Sequence, residues 1–541
     1  MSEAFNKRYG LFAMGILLLA GVLAYSNTFQ SPFHFDDTRT IVNNRSIKNI
    51  LDLKAVWNPW PTRFVTFLSL ALNYRLGGLN VSGYHILNIL VHVLSAIMVW
   101  WLMLLTFFTP VMKDEKITMH ARVIALFGGL IFVTHPVQTQ AVTYIIQRSA
   151  SLATLFYLAS LAMYVKSKLL LRQGAAGRSK WLYRCSLTAA VLAMFSKEMT
   201  ITLPLAVILY EFCFFRTDKR FDWKYAAPML YTVLIIPVTM LLTGSVDVGG
   251  MHRVLESKTS ITAWQYLLTQ FRVILTYIRL LLMPVNQNLD YYYAISRSLA
   301  EPALLASMAV LAAILATAVK IFSKYRLVSF GIFWFFLTLL PESSFIPIKD
   351  VIFEHRLYLP MAGFCFFLAG GLYYVFGERS LPSAVTISLV IVICCTALSY
   401  QRNLVWKSEF TLWNDVLRKS PMKARPYNNR GCIYREKGRI AEAIADFDRA
   451  IKRNPRLAPI YRNRGLAYRR QGKLQQAIAD YTKAIEIKPG YASAYYERAA
   501  IYLIMKDYDK AWADVKKAIS LGIKPGQAFI ENLEKASGRR E

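Results

Sequence analysis

The chain is 541 residues long and 55% hydrophobic. That share is above the ordinary soluble range, which excludes a purely water-soluble domain and points to a polytopic membrane protein. Its formal net charge of +31 does not indicate nucleic acid, because many lysines and arginines stand in short turns between apolar runs, where they set membrane orientation.

The first apolar run, Gly10 to Tyr25, follows Lys7 and Arg8. It reads as an uncleaved signal anchor, with Ala24-Tyr25-Ser26 a passable cleavage site for the signal-peptide alternative. Directly after it comes Phe33-His34-Phe35-Asp36-Asp37-Thr38-Arg39-Thr40. Carboxylates at a membrane edge are costly and mark a functional hypothesis, against the plainer reading of a solvated loop or a helix N-cap. Residues 27–83 form a polar loop in which Trp57, Trp60 and Phe64 suit the interface. Within it, Arg63 to Leu72 reads as a half-buried helix.

Spans follow near 84–107, carrying His85, Asn88 and His92, near 121–134, ending at His135-Pro136, and near 142–165. Lys113-Asp114-Glu115-Lys116 is a cytoplasmic turn. Lys166, Lys168, Arg172, Arg178, Lys180 and Arg184 give the strongest positive-inside signal and fix the topology. The next spans are near 181–196, ending at Ser196-Lys197-Glu198, near 200–215, returning to Arg216, Lys219 and Arg220, and near 225–243. Gly244 to Ile261 is a polar loop. The run 264–283, with Gln265, Gln270, Arg272 and Arg279, is expected to lie along the interface. Leu289-Asp290-Tyr291-Tyr292-Tyr293 follows, then spans near 301–321, 328–346, 356–376 and 382–400, with Lys320, Lys324 and Arg326 inside. Eleven spans and a cytoplasmic N-terminus put the Asp36 loop, His135, Lys197-Glu198, the 341–356 loop and the C-terminal region on the extracytoplasmic side.

From residue 402 the composition becomes that of a soluble helical array. Pro421, Pro455 and Pro489 recur every 34 residues, as do Gly431, Gly465 and Ala499, Tyr434, Tyr468 and Tyr502, and Ala443, Ala477 and Ala511. This is the tetratricopeptide signature. The expected division is a transmembrane domain at 1–401 and a repeat domain at 402–541. The repeats fall near 421–454, 455–488 and 489–522, with a capping helix at 525–536. Such an array presents a concave surface, usually to peptide.

The six cysteines lie mostly in apolar runs without CxxC spacing, so neither a disulfide framework nor a zinc site is expected. A Gly-rich phosphate loop, HExxH and GxSxG are all absent from the sequence, which disfavours a nucleotide-driven pump, a zinc protease and a serine hydrolase. The scattered motifs are joined by one physical requirement: transfer of a group from a lipid phosphate to a hydroxyl needs two things. A carboxylate must take the hydroxyl proton or hold a metal near it, and cations must stabilise the departing phosphate. Asp36 and Asp37 supply the first. Arg148, Lys197, His355 and Arg356, at the outer ends of different spans, supply the second. Each also has a structural reading: Arg148 as a snorkelling residue, Lys197-Glu198 as an exposed ion pair, His85 and His92 as packed histidines, and His135-Pro136 as a helix end.

The order of these motifs, Phe35-Asp36-Asp37, His135-Pro136-Val137, Arg148, Lys197-Glu198, Glu354-His355-Arg356-Leu357-Tyr358-Leu359-Pro360 and then the repeats, resembles the transmembrane-and-tetratricopeptide O-mannosyltransferases of the C-type (GT-C) glycosyltransferase superfamily. The resemblance implies an all-α, GT-C-like polytopic fold with about eleven transmembrane helices, followed by a repeat α-solenoid. It also implies inverting transfer of mannose or a similar hexose from a polyprenyl-phosphate donor to Ser/Thr hydroxyls of proteins, docked by the repeats. Asp36 or Asp37 would then be the general base, Asp36 being favoured. Arg148, Lys197, His355 and Arg356 would hold the donor phosphate, with Glu198, Glu354, Tyr358, Arg63 and His135 in support. A divalent cation is a possible cofactor, and a prokaryotic inner membrane with the site on its periplasmic face is the expected setting. Gln138 and Gln140 depart from the family pattern, where His and Glu are expected, and Ser149-Ala150 replaces its small-plus-Asp pair. The rival readings are an oligosaccharide or lipid-acceptor transferase, and a non-catalytic scaffold that recruits envelope proteins.

Overall fold

In lipid the backbone must satisfy its own polar groups, and a helix does so within one segment. In the computed structural model, which describes residues 3–216, 222–244, 261–348 and 350–539, the elements are helices and turns, with no strand among the described residues. Lys219, Arg220 and residues 245–260 of the expected polar loop lie outside the described residues. The chain forms two units. One comprises Met1–Leu289 with Tyr293–Lys407, the other Asp290–Tyr292 with Ser408–Glu541. The expected boundary at 402 falls inside the last helix of the first unit, Leu381–Asn403, which continues as the 3-10 turn Leu404–Lys407.

Eight helices among the described residues are long and apolar enough to cross a membrane: Arg8–Tyr25, Val81–Thr106, Lys116–Thr134, Ile145–Arg172, Trp223–Leu242, Pro302–Ile321, Pro360–Gly377 and Leu381–Lys407. The other three expected spans are also helices. Ala176–Met194 carries Arg178, Lys180 and Arg184 in its first half, while Leu203–Phe214 and Arg326–Leu339 have 12 and 14 residues. They nevertheless run between the same two ends of the bundle as their neighbours. Ser167 and Ser179 exchange hydrogen bonds at one end, and Arg326 donates to Cys213 O there. At the other end Val65 N donates to Phe195 O. Gly331 and Gly363 let Arg326–Leu339 and Pro360–Leu372 approach closely, since a Cβ on either would collide with the other's carbonyl oxygen.

Ala263–Leu282 behaves differently. Tyr266 Oη donates to Glu342 O at 2.7 Å near its start, and Leu281 O accepts from His135 Nε2 at 3.0 Å near its finish. Both ends therefore meet loops at one end of the bundle, the arrangement of a helix lying along the interface.

In the second unit each 34-residue period folds as a helix pair: Ala424–Glu436 with Ile440–Arg453, Ala458–Arg470 with Leu474–Ile487, and Ala492–Ile504 with Tyr508–Ser520. Gln527–Ser537 packs on the last pair. The small residue of each pair is explained by what faces it. A Cβ on Gly431 would lie 2.7 Å from the Phe447 ring, and one on Gly465 would lie 2.7 Å from the Tyr481 ring. In the third repeat Ala499 shares a core with the smaller Val515. A second periodic feature is an arginine fork on an aspartate: Arg430 on Asp446, Arg464 on Asp480 and Arg498 on Asp514. Each clasp ties the two helices of its repeat with paired N–H donors.

Candidate active site

The Asp-Asp loop is held from three directions. Asp37 is fully buried. Its Oδ2 accepts from His34 N at 3.0 Å and its Oδ1 from Ile146 N at 2.8 Å. The His34 ring donates through Nε2 to Trp406 O at 2.7 Å, and the Tyr144 ring stacks on Trp406 at 5.7 Å. Asp36 N donates to Tyr144 Oη at 2.9 Å. Between the two anchors Phe35 has φ +46°, a left-handed conformation rare for a bulky residue and of the kind that clusters at functional sites. The turn sends the Asp36 side chain outward, where it is exposed, and buries that of Asp37. Burial pushes the Asp37 carboxyl up to about 7, against the lowering effect of its backbone donors and with help from the neighbouring Asp36 charge.

A second constellation gathers from four loops. Arg63 forks onto Glu198 through Nε to Oε1 at 3.0 Å and Nη2 to Oε2 at 2.9 Å, and Thr62 Oγ1 adds a third bond at 2.7 Å. Burial alone would raise the Glu198 carboxyl, but the Arg63 charge and these bonds outweigh it and hold it near 2. Lys197 Nζ, almost wholly buried, lies 2.8 Å from Glu342 Oε1. Arg356 is oriented by neutral acceptors: Tyr266 Oη at 3.2 Å, Val351 O at 3.0 Å and Asp350 O at 2.8 Å. His355 N donates to Gln140 Oε1 at 2.7 Å, and the charges of Lys197, Arg356 and Arg63 all reach its ring. Three cations thus converge, Lys197 and Arg356 buried and Arg63 half-buried, and the two buried charges act more strongly on an anion than they would in solvent. The segment 139–148 joins the two groups, carrying Gln140 toward His355 and Tyr144 toward Asp36.

The other expected residues are engaged by the protein itself. Arg148 is wholly buried and its donors are spent on Asn88 Oδ1, Asn73 Oδ1, Ser69 O and Tyr84 O at 2.5–3.2 Å. In this structure it is a strut that ties the start of its helix to Phe64–Gly77 and Val81–Thr106. Tyr358 is in the core, donating to His92 Nδ1 at 2.7 Å. His135 caps the turn Pro136–Gln138. Glu354 accepts from Asn288 N at 2.6 Å and Gln287 Nε2 at 3.1 Å, anchoring the loop after the interfacial helix. Glu342, Tyr144, Tyr266 and Gln140 were not singled out from sequence as site residues. The available signals were Gln140, at a position where the family pattern has a polar residue of another kind, and an acidic residue, Glu342, directly beyond the apolar run 328–340.

Two tetratricopeptide-repeat family models match residues 428–492 and 480–513. Over most of its length the chain is similar to named protein O-mannosyl-transferases. F38B6.6 of Caenorhabditis elegans is 24% identical across 83% of this chain and 63% of that protein. Tmtc3 of Drosophila melanogaster is 25% identical across 81% and 54%, and TMTC3 of Mus musculus 27% identical across 80% and 50%. The chain thus spans about half to two-thirds the length of the curated relatives it matches. Among solved structures, the Cut9–Hcn1 hetero-tetramer of the APC/C aligns at 13% identity over 92% of this chain and 94% of that chain, with a TM-score of 0.24 that is too low to inform the fold. The chain resembles the transmembrane-and-tetratricopeptide O-mannosyltransferase family on both sides of residue 407.

Proposed function

We propose that the chain is an inverting membrane glycosyltransferase. It moves mannose or a similar hexose from a polyprenyl-phosphate donor to Ser/Thr hydroxyls of proteins on the extracytoplasmic, periplasmic side of a prokaryotic inner membrane. The observation that carries this reading is the division of labour in the loop: Asp36 faces outward while Asp37 is buried as its anchor, at the same end of the bundle as Arg63, Lys197 and Arg356. The names of the relatives support the same reaction class.

Asp36 takes the proton from the acceptor hydroxyl as the hydroxyl oxygen attacks the anomeric carbon. The bond from that carbon to the phosphate oxygen breaks, and its electron pair leaves on the polyprenyl phosphate. Lys197 and Arg356, braced by Glu342, Tyr266 and the Arg63–Glu198 fork, stabilise that developing charge. A divalent cation acting here would be held by Asp36 and donor phosphate oxygens, since the described residues gather no group of three or more metal-ligating side chains. Arg148 is a positioning residue that fixes the helix start beside the loop. The repeats grip the acceptor protein through their concave face.

The test is transfer from radiolabelled polyprenyl-phosphate-mannose to envelope proteins, with glycopeptide mass spectrometry of the product. Asp36→Asn should lower transfer by about 10²- to 10⁴-fold with an unchanged melting temperature. Undiminished transfer by a folded Asp36→Asn protein would remove Asp36 as the base, and absence of transfer by the folded wild type would leave the scaffold reading in its place.

A further inference from the structure

Beside the cation cluster lies a group of buried polar atoms that the chain itself does not satisfy. Gln138 and Gln140 are each 1% exposed and His355 is 8% exposed. Gln140 Oε1 receives the His355 backbone N–H. Gln140 Nε2, both amide atoms of Gln138 and His355 Nδ1 find no hydrogen-bond partner among the described residues. The turn Pro136–Gln138 packs against the turn Glu354–Leu357, so these atoms belong to one neighbourhood. The His355 ring is fixed there by stacking on Phe353, at 5.0 Å and 26°.

Buried amides are ordinarily paired, because an unmade hydrogen bond in the interior costs the full desolvation of the group. Several such atoms on two packed turns call for a partner that the chain itself does not supply. They are explained if a ligand completes them. These groups are neutral, and the amides offer both donors and acceptors. Hydroxyls match that chemistry, whereas a phosphate is matched by the cations next to them. The charges of Lys197, Arg356 and Arg63 reach His355 itself, so the neutral and cationic groups adjoin.

We infer that Gln138, Gln140 and His355 form the subsite that reads the hydroxyls of a neutral sugar on the donor, next to the cations that take its phosphate. The inference rests on the glycosyltransferase reading and adds to it the groups that distinguish a sugar-bearing lipid from the bare lipid phosphate.

Gln138→Leu tests it, because leucine nearly matches glutamine in size and Gln138 makes no side-chain bond within the described residues. The full-length protein in detergent is titrated with undecaprenyl phosphate and with undecaprenyl-phosphate-mannose, and its melting temperature is recorded without lipid. Wild type should prefer the mannosylated lipid. Gln138→Leu should lose that preference by on the order of 10- to 100-fold, with affinity for undecaprenyl phosphate within about two-fold of wild type. Its melting temperature without lipid should be equal or higher, since an uncompensated buried amide is gone. A preference unchanged in Gln138→Leu would overturn the subsite while leaving the transferase standing. A lowered melting temperature with both lipids weakened alike would also overturn it, showing the amide to be structural. Wild-type protein that binds neither lipid would overturn both readings.

Discussion

Adjacent carboxylates of identical chemistry take opposite roles here: just after the strained residue Phe35, Asp36 is exposed while Asp37 is buried on backbone N–H donors. Asp37 has the measurable signature. Its carboxyl is raised from 3.8 to about 7 by burial, so the native state binds a proton that the unfolded chain has released. The stability this proton confers is complete below about pH 3.8 and is lost as pH rises through about 7. Melting temperatures of the wild type should therefore fall between about pH 4 and 7 more steeply than those of Asp37→Asn. That variant should be less stable near pH 5.5, because an amide cannot accept from both His34 N and Ile146 N. Parallel pH profiles for the two proteins would refute a protonated Asp37. The pair itself was legible in the sequence, since two charges beside an apolar run stand out. Which of them points outward was not legible, because it depends on Ile146, 109 residues away, and on Trp406, 372 residues from His34. Arg148 shows the same limit. An arginine opening a helix looks like a ligand until its acceptors, 60 to 79 residues earlier in the chain, account for its donors.

At the scale of elements, features that recur were readable and features that occur once were not. The 34-residue spacing announced helix pairs because the crossing constraint repeats. The apolar run 200–215 announced a span but not that its α-helical part is 12 residues, with Glu198–Thr202 leading in as a 3-10 turn beside the cation cluster. A helix of that length covers only about 18 Å of the roughly 30 Å a bilayer core demands. The crossing constraint in the repeats makes a direct prediction. Gly465→Ala places a methyl against the Tyr481 ring and should destabilise the second repeat by about 1–3 kcal/mol, the usual cost of overpacking. Tyr481→Val in the same chain copies the Ala499 and Val515 pairing of the third repeat and should recover much of the loss. Hydrogen exchange of the amides in Ala458–Arg470 and Leu474–Ile487 reads both effects in the intact protein. If the double variant exchanges faster than Gly465→Ala alone, the compensation is wrong.

For the whole molecule the question is which face of the membrane each part meets, and hydrogen bonds of the first unit show at which end of its bundle the last helix stops. Ser399 Oγ donates to Thr134 O at 2.6 Å, Thr143 Oγ1 to Asn403 Oδ1 at 2.8 Å, and the His34 ring to Trp406 O. The last helix therefore ends at the same end of the bundle as Asp36. Beyond Lys407, no helix among the described residues is long and apolar enough to cross a membrane. The proposed topology therefore has the repeats and the Asp36 loop sharing a compartment, although the array is basic and a naive positive-inside count would place it opposite. Long domains translocate largely regardless of their charge, so the count does not decide the matter. The exposed positions Arg39, Lys473 and Lys113 test this in chains lacking the native cysteines. With Arg39→Cys and Lys473→Cys, a membrane-impermeant maleimide should label from one side. With Lys113→Cys, in the turn between Val81–Thr106 and Lys116–Thr134, it should label from the other. Labelling of positions 39 and 473 from opposite sides would separate the base from the acceptor-binding repeats by a bilayer, and no transfer mechanism built on both could survive it.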